Sequence, residues 1–360
     1  MNPEEIVRAA AAEILAPDTP AIESARALQL RLTKPAGSLG QLEELHARIA
    51  GMRRDAKPTF NRKVIIVAAA DHGVAADRVS AYPQDVTAQM LMNFVRGGAA
   101  VNVLAAHAGA VVRVVDAGVA RDIDDPLVHR AKVRCGTDSM TRGPAMSRDD
   151  AATLSARGCA FAREECDAGA DVIALGDMGI GNTTAAAAIT AVMTGAPPRI
   201  VTGRGTGIDD ATFSAKVRAV EQAISINMPD ASDGFDVLAK VGGYEIAFLA
   251  GVAIGAASRR VPVVLDGYPT TAAALVACAI APDVIEYMLA SHVSAEPGHR
   301  VALDALGLSP LLDLQMRLGE GTGAALTISL IDAALRIPRE MATFESAGVS
   351  RSDREARPEA

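Results

Sequence analysis

The chain has no tryptophan, and aromatic residues make up only 3% of its 360 positions. Half of it is nonetheless hydrophobic, so its core has to be built from Ala, Val, Leu, Ile and Met. Its four cysteines, Cys135, Cys159, Cys166 and Cys278, contain no C-x-x-C pair. Its six histidines, His46, His72, His107, His129, His292 and His299, contain no H-x-x-x-H or H-E-x-x-H pair. These absences argue against a disulfide framework and a zinc site, and no metal or other cofactor is expected. Cys159 and Cys166, seven positions apart, read as small apolar residues on one helix. There is no P-loop, G-x-G-x-x-G, G-x-S-x-G elbow or Cys–His signature. Long apolar runs are also missing: stretches such as 246–257 fall short of the ~18 residues that a membrane helix needs. The first residues, Met1-Asn2-Pro3-Glu4-Glu5, are acidic where a signal peptide is basic. The expectation is a cytoplasmic protein with no membrane contact. A net charge of −8 argues against nucleic acid as a partner, leaving a small molecule or another protein.

What the chain does have is a regular alternation. Short apolar runs occur at 64–68, 111–115, 171–175, 261–265 and 284–289. Helical patterns lie between them, among them 86–106, 149–166 and 244–258. Apolar runs of this length separated by helices indicate βαβ units and an α/β fold with a parallel sheet covered on both faces. Residues 4–57 read as mostly helical, with amphipathic pieces at 6–15 and 39–52. The polar tail after Glu345 is expected to fray. Polar residues gather where the apolar runs end: Asp71, His72, Asp116, Asp177, Asp266, Ser291 and His292. That edge is where open α/β sheets bind ligands. Helix capping by Asp and Ser is the alternative for some of them.

Four segments carry chemistry. Gly176-Asp177-Met178-Gly179-Ile180-Gly181-Asn182-Thr183-Thr184 lies between an apolar run and a helix expected over 185–193. Glycines there let backbone N–H groups approach an anion at a helix start, and Asn182 or Thr183 can cap the helix or bind a phosphate oxygen. A plain strand-to-helix turn is the other reading. Arg317-Leu318-Gly319-Glu320-Gly321-Thr322-Gly323 puts a glutamate between glycines before an apolar helix, 324–335. In a partly dry pocket Glu320 would have a raised pKa and could act as general base; a dipole-favoured glutamate at a helix start is the alternative. Gly203-Arg204-Gly205-Thr206-Gly207-Ile208-Asp209-Asp210 is a second glycine loop, with Lys216 one to two turns into the next helix and able to reach an anion at its start. Its two aspartates read as helix caps rather than magnesium ligands. Finally, Tyr82, in Val79-Ser80-Ala81-Tyr82-Pro83-Gln84, could pave a pocket for a flat ligand, with Ser80 and Gln89 as hydrogen-bonding groups.

Together and in this order these pieces resemble the nicotinate-nucleotide–dimethylbenzimidazole phosphoribosyltransferase family of cobalamin nucleotide-loop assembly. The matching segments run from LTKPAGSLGQLE (32–43), AADHGVA (69–75), VSAYPQDVTAQM (79–90) and NFVRGGAAVNVLA (93–105) through VVDAGV (114–119), ALGDMGIGNTT (174–184) and GRGTGIDD (203–210). They continue with DGFDVLAKVGGYEIA (233–247), PVVLDGY (262–268), SHVSAEPGH (291–299) and PLLDLQMRLGEGTGAAL (310–326).

The resemblance implies transfer of the ribose phosphate of nicotinate mononucleotide onto dimethylbenzimidazole, with inversion at C1′ and Glu320 as general base. It implies that Gly179, Gly181, Asn182, Thr183, Thr184, Gly205 and Lys216 hold the phosphate and ribose, with Asp266 and Ser294 beside them. Ser80, Tyr82, Gln89, Met178 and Leu318 would surround the acceptor base. Asp177 would be a second catalytic carboxylate, one methylene shorter than the glutamate of many relatives. The implied architecture is a Rossmann-like domain over 61–324 and a small helical domain from 1–60 and about 325–360, working as a homodimer. Two other readings keep the same sequence features: a different acceptor (purine or phenol), or a nucleotide-binding protein without catalysis.

Overall fold

A computed structural model describes residues 2–205 and 207–350. Thr206 of the second glycine loop, and the tail from 351 on, lie outside the described residues. Six strands form one parallel sheet: β1 (Lys63–Ala70), β2 (Ala110–Gly118), β3 (Val128–Arg130), β4 (Val172–Met178), β5 (Val263–Leu265) and β6 (Met288–Ala290). Their order, β3-β2-β1-β4-β5-β6, is that of a doubly wound Rossmann-like sheet, with the direction of winding reversing between β1 and β4. All eight residues of β1 are buried, which is why its sequence is a continuous apolar run rather than an alternating one.

Two compact units emerge. The larger takes the residues up to Leu15 and Asn61–Ile328; the smaller takes Ala16–Phe60 and the residues from Ser329 on. In the larger unit, the helix Tyr244–Ser258 is buried along its whole length and packs on the helix Arg148–Asp167. The two backbones touch: a Cβ on Gly251 would collide with the Ser155 carbonyl. This close approach is how a core short of aromatics reaches full density. The N-terminal helix Pro3–Ala12 belongs to the same unit, where Glu4 pairs with Arg148. In the smaller unit the helices Thr19–Gln29 and Gln41–Arg53 meet through Ala25, Ala47 and Ala50, with Ile22 packed alongside.

Two expectations are corrected, and one strand is not among those expected. The helical pattern over 86–106 is two helices, Val86–Val95 and Ala100–Ala108, broken at Gly97 with φ +78° and Gly98. The run 284–289 begins in a 3-10 turn, Pro282–Tyr287, and only then becomes β6. The edge strand β3 is too short for a sequence pattern to reveal.

Candidate active site

The two glycine loops, the tyrosine loop and the glutamate loop converge at the carboxyl end of the sheet. A cleft of about 250 Å³ opens there. Twelve of the sixteen candidates line it: Ser80, Tyr82, Asp177, Met178, Gly179, Gly181, Asn182, Thr183, Gly205, Lys216, Ser294 and Leu318. Gln89, Thr184, Asp266 and Glu320 do not. Gln89 is exposed on its helix, whereas Thr184 is fully buried in the helix that follows the phosphate loop.

The anion end is built on β4. After Met178 the chain turns through Gly181, at φ +97°, into the helix Asn182–Thr194, which opens with no side-chain cap. An uncapped helix start places N–H groups and the positive end of the dipole at the cleft. Thr87, from the helix behind, accepts the Ile180 N–H at 3.2 Å and holds the loop. Lys216 is only 1% exposed, and its Nζ donates to Thr183 Oγ1 at 2.8 Å. Burial lowers the Lys216 pKa to about 8, against the opposing pull of Glu296. An ammonium this poorly solvated gains from an anion more than an exposed one does.

Another part of the lining is Arg317, Leu318 and Gly319, with Glu320 next in the chain. Three consecutive residues, Gly319, Glu320 and Gly321, have φ of +81°, +64° and +86°. Left-handed backbone is costly for a glutamate and is kept where surroundings enforce it. Those surroundings are visible: Asp266, at the end of β5, accepts the Gly321 and Ala324 N–H groups at 3.0 Å each. Glu320 is 6% exposed. It directly follows Gly319, a lining residue. Burial, helped by Asp266, pushes its pKa up to about 7. A carboxylate with that basicity is matched to taking a proton near neutral pH.

Between these ends sits Asp177. Asn182 Nδ2 donates to its Oδ2 at 2.8 Å, and its Oδ1 is buried with no hydrogen-bond partner. Burial, then Asp266 and Glu245, hold its carboxyl well above the usual range. Beneath the phosphate loop His72 and Glu245 form a buried pair at 2.8 Å. Burial works against the charged imidazole, but Glu245 outweighs it and the His72 pKa is raised. On the open side, Tyr82 and Leu318 are 54% and 56% exposed. They are large apolar groups presented at a cleft mouth, as an apolar ligand would require.

Most of the polar residues at the strand ends turn out to hold backbone. Asp71 accepts the Ala120 N–H at 2.7 Å, and Asp116 accepts those of Gly118 and Val119. Asp209 caps its helix through the Thr212 N–H. Among the described residues no group of three or more His, Cys, Asp or Glu is placed to hold a metal ion, and no helix is long and apolar enough to cross a membrane. Glu296, absent from the candidates drawn from sequence, lines the cleft and is 6% exposed. It stands directly before Pro297, the first residue of a helix, where a carboxylate reads as a cap. Its target, Gly205, lies 91 positions earlier, beyond any local pattern.

The chain matches known proteins over most of its length. A family model described as phosphoribosyltransferase matches residues 14–349. The nicotinate-nucleotide–dimethylbenzimidazole phosphoribosyltransferase of Chloroflexus aggregans is 54% identical over 334 residues, covering 92% of this chain and 95% of its own length. That of Geobacter sulfurreducens is 52% identical over 322 residues, covering 89% and 92%. The crystal structure of the same-named protein from Thermus thermophilus superposes with a TM-score of 0.88 at 46% identity, covering 93% of this chain and all of that one.

Proposed function

This chain belongs to the nicotinate-nucleotide–dimethylbenzimidazole phosphoribosyltransferase family of enzymes, and from that premise we propose that it transfers the 5-phosphoribosyl group of nicotinate mononucleotide to 5,6-dimethylbenzimidazole. The products are nicotinate and α-ribazole 5′-phosphate. One observation carries the reading: a buried lysine bonded to Thr183 at an uncapped helix start lines the cleft, and a buried glutamate with a pKa near 7 directly follows Gly319 in the lining of that cleft.

The donor phosphate sits at the Gly179–Thr184 turn, neutralised by Lys216 and the helix dipole. The acceptor base lies between Tyr82 and Leu318. Glu320 removes the acceptor N–H proton while the other ring nitrogen attacks C1′. The C1′–nitrogen bond to nicotinate breaks, and nicotinate leaves with the electron pair. Attack opposite the leaving group turns the β-nucleotide into an α-riboside. Positive charge gathers on the ribose ring as nicotinate departs, so the nearby carboxylates Asp177 and Glu320 favour the transition state. The donor carries a single phosphate, which one anion cradle serves. Homodimeric assembly and a cytoplasmic location come with the family reading as further proposals.

The test is to mix purified protein, nicotinate mononucleotide and dimethylbenzimidazole and follow products by chromatography and mass. Equal amounts of nicotinate and α-ribazole phosphate are expected. Nicotinate without the riboside means hydrolysis or another acceptor.

A further inference from the structure

Glu296 occupies the N-cap position of the helix Pro297–Leu306 but makes no side-chain cap there. Its side chain turns away. Oε1 accepts the Gly205 N–H at 2.7 Å, and Oε2 is buried with no hydrogen-bond partner. A carboxylate that leaves its own helix uncapped and is desolvated against a distant loop costs stability unless it gains something elsewhere.

The support behind Glu296 is rigid. His299, fully buried, accepts the Ser294 N–H at its Nδ1 at 2.9 Å, so its Nε2 carries the proton and faces Thr271 Oγ1 at 2.9 Å. Burial, reinforced by His292 and Arg300, lowers the His299 pKa to about 3 and keeps the ring neutral. Ser294 Oγ accepts the Glu296 N–H at 3.3 Å. The turn that aims Glu296 is thereby fixed on both sides.

The loop it grips is shaped to be gripped. A Cβ on Gly203 would collide with the Glu296 carboxylate, so a side chain there has to displace it. A Cβ on Gly205 would lie 3.1 Å from Thr183 Oγ1 and 3.3 Å from Lys216 Nζ, which puts this loop directly against the phosphate end. The carbonyl of the same residue is held too: Arg317 Nη1 donates to the Gly205 carbonyl at 3.2 Å.

We propose that Glu296 is a positioning residue that fastens the Gly203–Gly205 loop against the phosphate end of the cleft and thereby sets affinity for the phosphate of the donor. It acts through the loop. The proposal rests on the phosphoribosyl-transfer reading of this cleft.

The experiment compares Glu296→Ala, Glu296→Gln and Gly203→Ala with the wild-type protein. Donor KM, acceptor KM and kcat are measured, and calorimetry gives nicotinate mononucleotide binding without acceptor. Losing a charged hydrogen bond that orders the loop should raise donor KM and Kd about 10- to 100-fold in Glu296→Ala. Acceptor KM and kcat should stay near wild type. The glutamine amide oxygen can still accept the Gly205 N–H, so Glu296→Gln should recover most of the affinity. Gly203→Ala, which displaces the carboxylate without removing it, should shift donor affinity in the same direction as Glu296→Ala and separates the clamp from any folding defect at position 296. Equal loss in alanine and glutamine variants, or a loss confined to kcat, overturns the clamp. Failure of the wild-type protein to form α-ribazole phosphate overturns the reading of the site instead, while the binding comparison still tests the clamp.

Discussion

The Cα of Gly176 in β4 lies against the backbone of Glu320: a Cβ there would sit 2.7 Å from the Glu320 carbonyl oxygen and 2.8 Å from its carbonyl carbon. The strand that carries the phosphate loop is thus also the surface that sets the height of the glutamate. Both ends of the reaction are referred to one glycine.

Gly176→Ala should therefore act on chemistry. The methyl group pushes the Glu320 backbone outward, and a displacement of about 1 Å at a reacting group can cost about 100-fold. Steady-state kinetics should show kcat falling by that order with donor KM little changed. A donor KM that rises as far as kcat falls would mean that the phosphate loop, not Glu320, had moved.

The pH profile follows from two buried groups. Glu320, raised to about 7, must be deprotonated to accept a proton, so activity falls below pH 7. Lys216, lowered to about 8, loses its charge above that pH, weakening donor capture. The kcat/KM for the nucleotide should peak between the two. The alkaline limb should move upward in kcat, where bound phosphate holds Lys216 charged. Identical alkaline limbs in both parameters would contradict a phosphate-binding Lys216.

Lys216→Met keeps the apolar stem and removes the charge. A charge-assisted hydrogen bond to phosphate contributes about 1.5–3 kcal/mol, so donor Kd by calorimetry should rise about 10- to 100-fold. Inhibition by inorganic phosphate should weaken in parallel. Unchanged donor affinity would remove Lys216 from the anion site.

Asp177 gives a stability signature. Its folded pKa is raised above the unfolded value, chiefly by burial and then by Asp266 and Glu245. The folded state therefore binds more protons, and this group lowers stability as pH rises above its unfolded pKa. Asparagine keeps an acceptor for Asn182 and abolishes the titration. The melting temperature of Asp177→Asn should exceed that of wild type, with a gap that widens from pH 5 to pH 8. A constant gap would show that Asp177 ionises without penalty.

The parts of this site that sequence made legible are those whose physics is local. β1 and β4 announce themselves as apolar runs because both faces of a central parallel strand are buried. The Gly179–Thr184 turn and the Gly319–Gly321 loop announce themselves because unusual backbone demands glycine at fixed offsets. What stayed hidden depends on contacts between distant segments. Gln89 is exposed while Thr87, two positions earlier, holds the phosphate loop, and only the packing of that helix decides which. Asp266 reads as a strand-end ligand group, yet both its oxygens hold the glutamate loop. Glu296 reads as a cap and is spent on Gly205. The break at Gly97-Gly98 is equally open to a continuous helix in sequence, because the apolar pattern runs on past it.

The most direct measurement is turnover of Glu320→Gln beside its binding of nicotinate mononucleotide. Glutamine keeps the size of the side chain but cannot take the acceptor proton. The account predicts kcat lower by about 10²–10⁴, with donor Kd near wild type and the acid limb near pH 7 gone. Turnover close to wild type, with that limb intact, would contradict Glu320 as the base.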